Sequence, residues 1–165
     1  MNARSQMEGL APVYTVVGEV YRTGETVPTV QSNANGYRLP TEAEWEWAAR
    51  GGVASQGYIY SGSNDMNAVA WYDGNSLGAA VSLSPAGRGT WPVGSKAANE
   101  IGIHDMSGNV WEWCENFALD QFSVRRGRGG AWRDLADNCT LTVYDNLTAT
   151  NRYDFFGFRS ARNAP

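Results

Sequence analysis

Histidine is almost missing from this 165-residue sequence: His104 is the only one. A histidine-based triad and a three-histidine metal site are therefore excluded, and His104 reads as a packing or hydrogen-bonding residue. Lysine is as scarce, with Lys96 alone among thirteen basic residues. Two cysteines, Cys114 and Cys139, are too few for a disulfide scaffold and lack zinc-finger spacing. Two buried free thiols are the default reading, with a single disulfide as the alternative. No apolar run approaches the roughly 18 residues of a transmembrane helix, so membrane insertion is not expected. Met1 to Gln6 contains no apolar stretch of the kind a signal peptide carries. Nucleophile-elbow serine, Walker loop, HExxH and CxxC motifs are all absent. Charged residues make up only 18%, which excludes a disordered charged tail, and the net charge of −4 speaks against nucleic acid as a partner.

What the sequence has is aromatic mass and glycine. Seven Trp, eight Tyr and five Phe sit among 42% apolar residues, enough for a proper core in one domain. Nineteen Gly and six Pro imply many turns and little helix. Charge is uneven: residues 121–165 carry seven Arg against four Asp, a balance of +3, leaving −7 for residues 1–120. Arginine in place of lysine suits half-buried polar networks, although a compositional habit of the source explains it equally well.

Tyr14 to Val30 reads as short strands, with Thr23-Gly24 as a turn. One helix is clear. Thr41 and Glu44 form a capping box, Trp45, Ala48 and Ala49 follow at helical spacing, and Gly51-Gly52 ends it. Residues 51–100 read mostly as loop, pinned by Tyr58, Tyr60, Trp71, Tyr72 and Trp91. Strand-like pieces follow at Gly108 to Glu115, Ser123 to Trp132 and Phe155 to Arg162.

Four segments carry a resemblance: GYRLPTEAEWEWAARGG (36–52), IGIHDMSGNVWEWCEN (101–116), RGRGGAW (126–132) and FFGFRSAR (155–162). Together, in this order, they resemble the formylglycine-generating enzyme (sulfatase-modifying factor) family over essentially the whole chain. The resemblance implies an α+β, C-type-lectin-like fold with little regular secondary structure, in one domain over residues 1–165. Trp45, Trp111, Trp113 and Phe158 are expected to be buried. Family domains usually begin further upstream, with extra strands and a helix. The sequence is therefore either a fragment or a shortened form that closes its sheet another way, and a partner chain could supply the missing part.

The family contains oxidases and non-enzymatic relatives. In the oxidases two thiolates hold copper(I), soft ligands for a soft ion. The first follows the aromatic of the GG-x-aromatic segment by two residues, and the second lies five further on. With Trp132 as that aromatic, the positions are Asp134 and Cys139. One thiolate has become a carboxylate, so no copper and no catalysis are expected. Relatives that use iron to make sulfoxides need several histidines, which excludes that chemistry as well. The segment Asp105 to Glu112 resembles a family calcium site. Carboxylates of Asp105 and Glu112 would act with carbonyls of Gly108 and Val110, all hard oxygen donors suited to a structural Ca2+. The alternative is a metal-free turn whose Asp and Glu pair with arginine.

Residues 133–156 stand apart: their polar and aromatic positions show neither helical nor strand periodicity. The stretch lacks Lys, Glu, Gln, Trp and Met, the five residues that codons ending in a pyrimidine cannot encode. Asparagine codons randomised in their first two bases would give this set. In this position the pattern resembles the variable region of diversity-generating retroelement proteins; chance in a short window is the alternative. That resemblance implies a ligand surface formed by Arg133, Asp134, Leu135, Asp137 and Asn138, by Val143, Tyr144, Asp145 and Asn146, and by Tyr153, Asp154 and Phe155. Tyr144, Tyr153 and Phe155 would anchor, and Asn, Asp and Thr would hydrogen-bond adaptably, as in antibody paratopes. The function expected is a non-enzymatic display protein that recognises a variable protein or cell-surface ligand. A family-type enzyme and a non-catalytic module of a larger assembly are the alternatives. Display proteins of this kind are cell-surface or phage-borne, and nothing in the sequence names the ligand or the compartment.

Overall fold

A computed structural model describes residues 1–24, 26–79, 81–117 and 124–163. The predicted capping box is present: the Thr41 hydroxyl accepts from the Glu44 N–H at 3.2 Å, and the Glu44 carboxylate accepts from the Thr41 N–H at 2.8 Å. It opens helix α2 (Glu42–Ala49), which Gly51 ends at φ 86°; a Cβ there would lie 2.5 Å from a Glu100 carboxylate oxygen. Its inward face buries Trp45 and Ala49 against Met106, Cys114 and Leu141.

Behind α2 stands a sheet in the order β8-β7-β6-β9, formed by β6 (Trp111–Phe117), β7 (Val124–Arg128), β8 (Tyr144–Thr148) and β9 (Phe156–Gly157). Pairing is antiparallel except between β6 and β9, where Trp111 lies opposite Phe156. Strand β8, which shows no readable periodicity in the sequence, is held by five successive partners on β7 from Val124↔Thr148 to Arg128↔Tyr144. Its place comes from the ladder, not from its own pattern.

At the other end, α1 (Asn2–Met7) packs on a small sheet of β1 (Tyr14–Val16), β2 (Glu19–Val20) and β3 (Thr29–Val30). The buried Asn2 side chain is its anchor. The amide donates to the carbonyls of Tyr14 and Tyr21 and accepts from the N–H groups of Val13 and Tyr14. The β1–β2 reversal falls at Val17-Gly18, at φ 50° and 82°, and the chain bends again at the expected Thr23-Gly24, where Gly24 takes φ 120° between β2 and β3. Two left-handed residues suit the twist of a two-residue hairpin, which overrides Val17's reluctance.

Between α2 and β6 the described chain is mostly loop, with α3 (Met66–Val69), β4 (Val81–Ser82) and β5 (Gly89–Thr90). Aromatics pin it as expected: Trp71 and Trp91 stack at 4.1 Å, and Tyr60 and Tyr72 pack on Met66, Val69, Ala70 and Cys139. Trp45 and Trp111 are buried, but Trp113 is half-buried and Phe158 is 63% exposed. Strand β9 has only two residues, so alternation stops at Gly157 and the chain leaves the sheet before Phe158 can turn inward. Phe156 takes the expected place, 4.4 Å from Trp113 and 6.1 Å from Trp111. Cys114 and Cys139 are free and buried. Among the described residues no helix is long and apolar enough to cross a membrane.

Candidate functional site

The candidate site rests on a frame of polar groups fixed from distant parts of the chain. Gly108 and Asn109 turn at φ 73° and 65°, and a Cβ on Gly108 would meet the Trp71 carbonyl oxygen at 2.3 Å. Asn109 then ties three segments together. Its N–H donates to Trp71, its carbonyl accepts from Trp132, and its amide pairs with both backbone groups of Trp91. Three residues on, the buried Glu112 carboxylate accepts from the Trp45 indole at 2.7 Å and from two Arg159 nitrogens at 2.8 Å each.

Arg128, 1% exposed, reaches from β7 to the Glu46 carboxylate and to the carbonyls of Leu141, Thr142 and Val143. It thereby clamps the chain just before β8 by its backbone. Other grips on the 133–155 stretch are of the same kind. The Asp73 N–H donates to the Asp134 carbonyl, the Leu141 N–H to Ile59, the Trp111 N–H to Phe155 and the Trp132 indole to Asp154. None of these bonds uses a side chain of the stretch itself.

The side chains so released fall into two groups. Around Trp132, Arg133 is exposed with its guanidinium 4.7 Å from the Phe155 ring centroid, and Tyr153 lies 5.0 Å from the same ring. Leu135, Asp137, Asn138 and Asp154 are exposed as well. Along edge strand β8, Tyr144 and Asn146 are exposed while Val143 and Asp145 are half-buried. The Arg126 guanidinium lies 4.0 Å from the Tyr144 ring centroid. Tyr153 and Phe155 are half-buried, packed with Phe156, which suits anchors.

Asp134 departs from the expected free surface. Half-buried, its carboxylate accepts from the Trp111 indole at 2.6 Å and from the Ala131 N–H at 3.0 Å. Burial raises its pKa first of all, with the Asp145 charge adding to the effect. Cys139 is fully buried and its thiol is pushed up to about 12, first by burial and then by the Asp134 charge. The Cys114 thiol is likewise raised to about 12, mainly by burial. Protonated thiols are poor soft-metal ligands and poor nucleophiles.

At the expected calcium segment the two carboxylates of Asp105 and Glu112 make contacts within the protein itself. Both Glu112 oxygens are already compensated by Arg159, and one Asp105 oxygen accepts from the Gly94 N–H at 2.7 Å. Among the described residues, no three His, Cys, Asp or Glu side chains gather into a metal-binding group. The frame residues Arg126, Arg128 and Arg159 were not singled out as site residues by sequence reasoning. Their signal was the preference for arginine over lysine.

The model of the sulfatase-modifying factor enzyme 1-like domain matches residues 7–164. The chain belongs to this family. It is 41% identical over 181 residues to the chaperone protein LppX of Paenibacillus barcinonensis, with 98% of this chain and 65% of that protein covered. It is 35% identical over 137 residues to the inactive C-alpha-formylglycine-generating enzyme 2 of Bos taurus, covering 78% of this chain and 45% of that protein. The chain thus spans less than two thirds of either curated relative. Among solved structures, Treponema denticola variable protein 1 superposes with a TM-score of 0.81 at 31% identity, over 98% of this chain and 66% of that one. The C-type-lectin-like fold of the family is shared. Likeness to an inactive relative and to a variable protein points to a non-catalytic module.

Proposed function

We propose that the chain is a non-catalytic recognition module whose face from Arg133 to Phe155 binds a protein or other surface ligand that differs between variants of the protein. The observation that carries this reading is the mode of attachment. The stretch is held through its backbone by Arg128, Trp132, Asp73 and the β7 ladder, so most of its side chains can change without loss of the fold. Aromatic rings and an arginine stand beside short polar side chains there, a mixture suited to protein recognition. An oxidase of the family type is disfavoured, because the first copper position holds Asp134 in a structural hydrogen bond to Trp111.

The relative named a chaperone, aligned over 98% of this chain, favours a second reading: a non-catalytic module of a larger assembly. Sequencing the locus from independent isolates separates the two. A display protein is expected to show substitutions concentrated at the exposed positions 133, 135, 137, 138, 144, 146 and 154, all reachable from pyrimidine-ending asparagine codons, with a template repeat nearby. Substitutions spread evenly over frame and face, without such a repeat, would favour the assembly module.

A further inference from the structure

Strand β8 ends its sheet: β7 pairs with it at five successive positions, and among the described residues no strand pairs with its other side. Which of its backbone groups face outward follows from bonds fixed elsewhere. The Trp111 N–H donates to Phe155, so Trp111 turns its backbone polar groups towards β9, and Glu112 turns its own towards Arg128 on β7. Direction alternates along each strand. Gly127 therefore faces Asp145, while Tyr144 and Asn146 direct their N–H and C=O groups away from the sheet. The Asn146 N–H agrees, since it donates at 2.8 Å to the Asp145 carboxylate.

A regular free edge is a template for another strand, and proteins commonly blunt it with proline, lysine or a bulge. Tyr144–Thr148 holds neither residue, and its register with β7 runs without a bulge. Its shield is the Asp145 carboxylate on one N–H. Tyr144 and Asn146 are exposed and lie opposite Arg128 and Arg126. That is the end of β8 away from Val124 and residues 118–123, which are outside the described residues.

Charge selects the occupant. Two copies paired antiparallel about Asn146 would set their Asp145 carboxylates on one face, diagonal neighbours at about 7–8 Å, in chains of net charge −4. A foreign strand with a basic side chain across from Asp145 meets attraction instead.

We propose that the module takes its partner by strand addition: an extended segment of a partner protein, basic across from Asp145, pairs its backbone with Tyr144 and Asn146. This rests on the recognition reading above and adds its mode. Backbone bonds are then common to all variants of the protein, and the varied side chains select among partners.

Fluorescence anisotropy on the full chain tests this with a labelled heptapeptide that alternates valine with lysine and threonine. The same peptide, N-methylated at every residue, lacks backbone donors and is expected to bind at least about tenfold more weakly. Asn146→Pro removes an outward N–H without taking a bond from β7, and should also weaken binding by about tenfold. Asn146→Ala should stay within about twofold of wild type. Hydrogen exchange at the Tyr144 amide should slow by about tenfold with saturating peptide. The methylated peptide and the exchange rate need no variant, so they decide even if Asn146→Pro fails to fold. Equal binding of the two peptides, no binding below about 1 mM, or unchanged exchange at Tyr144 overturns the proposal. A free chain that dimerises through this edge overturns it too, since a second copy is then the occupant. Equal losses for Asn146→Ala and Asn146→Pro overturn strand addition but leave recognition through side chains standing, which the isolate sequences decide separately.

Discussion

Around Glu112 the hydrogen bonds run between side chains. Trp45 and Arg159 hold its carboxylate, and the indole of Trp111 is held by Asp134. From Arg133 to Phe155 the bonds that secure the chain run instead through its backbone, to Arg128, Trp132, Asp73 and β7. A buried polar side chain whose partner is removed leaves a group desolvated and unpaired, so the frame tolerates little change. A backbone carbonyl is present whatever residue carries it. The second region can therefore vary in sequence and keep its path. Asp134, Ala136, Cys139 and Leu141 are exceptions within it, because their side chains pack into the frame.

The strongest way to break this contrast is at its centre. Trp111→Ala is expected to cost roughly 3–5 kcal/mol of unfolding free energy in urea, since it leaves a cavity and strips the Asp134 carboxylate of a donor. A cost below about 1 kcal/mol would show that the frame can collapse around the loss. Asp134→Ala comes next, at about 1–3 kcal/mol, because the buried Trp111 indole loses its acceptor. A surface-like value would return Asp134 to the displayed set.

Acid sharpens the comparison, because two carboxylates respond in opposite senses. Glu44 is lowered to about 2, first by its hydrogen bond from Arg38. Its contribution is complete above the ordinary 4.5 and is lost as the pH falls towards 2. Asp134 is raised by burial, so its contribution declines as the pH rises from 3.8 through its folded value. Melting temperatures across this range should show a shallower acid-side fall for Glu44→Gln. Asp134→Asn should instead be favoured relative to wild type at neutral pH and lose that advantage in acid. Parallel profiles for all three proteins would remove both assignments.

Smaller effects belong to the face. Alanine at Arg133, Leu135, Asp137, Asn138, Asn146 or Asp154 should shift stability by no more than about 0.5 kcal/mol in the same urea assay. Tyr144→Ala should cost about 0.5–1 kcal/mol, since its ring carries the Arg126 guanidinium. Unfolding of several of these variants would make the stretch core rather than display surface. Excess EDTA is expected to leave the melting temperature of calcium-dialysed protein unchanged, as Arg159 already compensates Glu112. A fall of several degrees would mean that calcium displaces Arg159 and binds at the Asp105 to Glu112 segment.

By itself the sequence determined the family, the fold class and helix α2. Its four motifs are contiguous, and the Thr41–Glu44 box closes within one turn, so both are legible without any distant contact. It also put a carboxylate at the first copper position, since that follows from counting from Trp132. Only tertiary structure decided that Asp134 serves Trp111, 23 residues away, that Arg159 takes Glu112, 47 residues away, and that Arg128 spans 82 residues to Glu46. It alone made an edge strand of Tyr144–Thr148 and turned Phe158 outward. Local bonding repeats over three or four residues and leaves its mark in the pattern. The fate of a half-buried side chain depends on which distant group arrives beside it, and no short-range pattern records that.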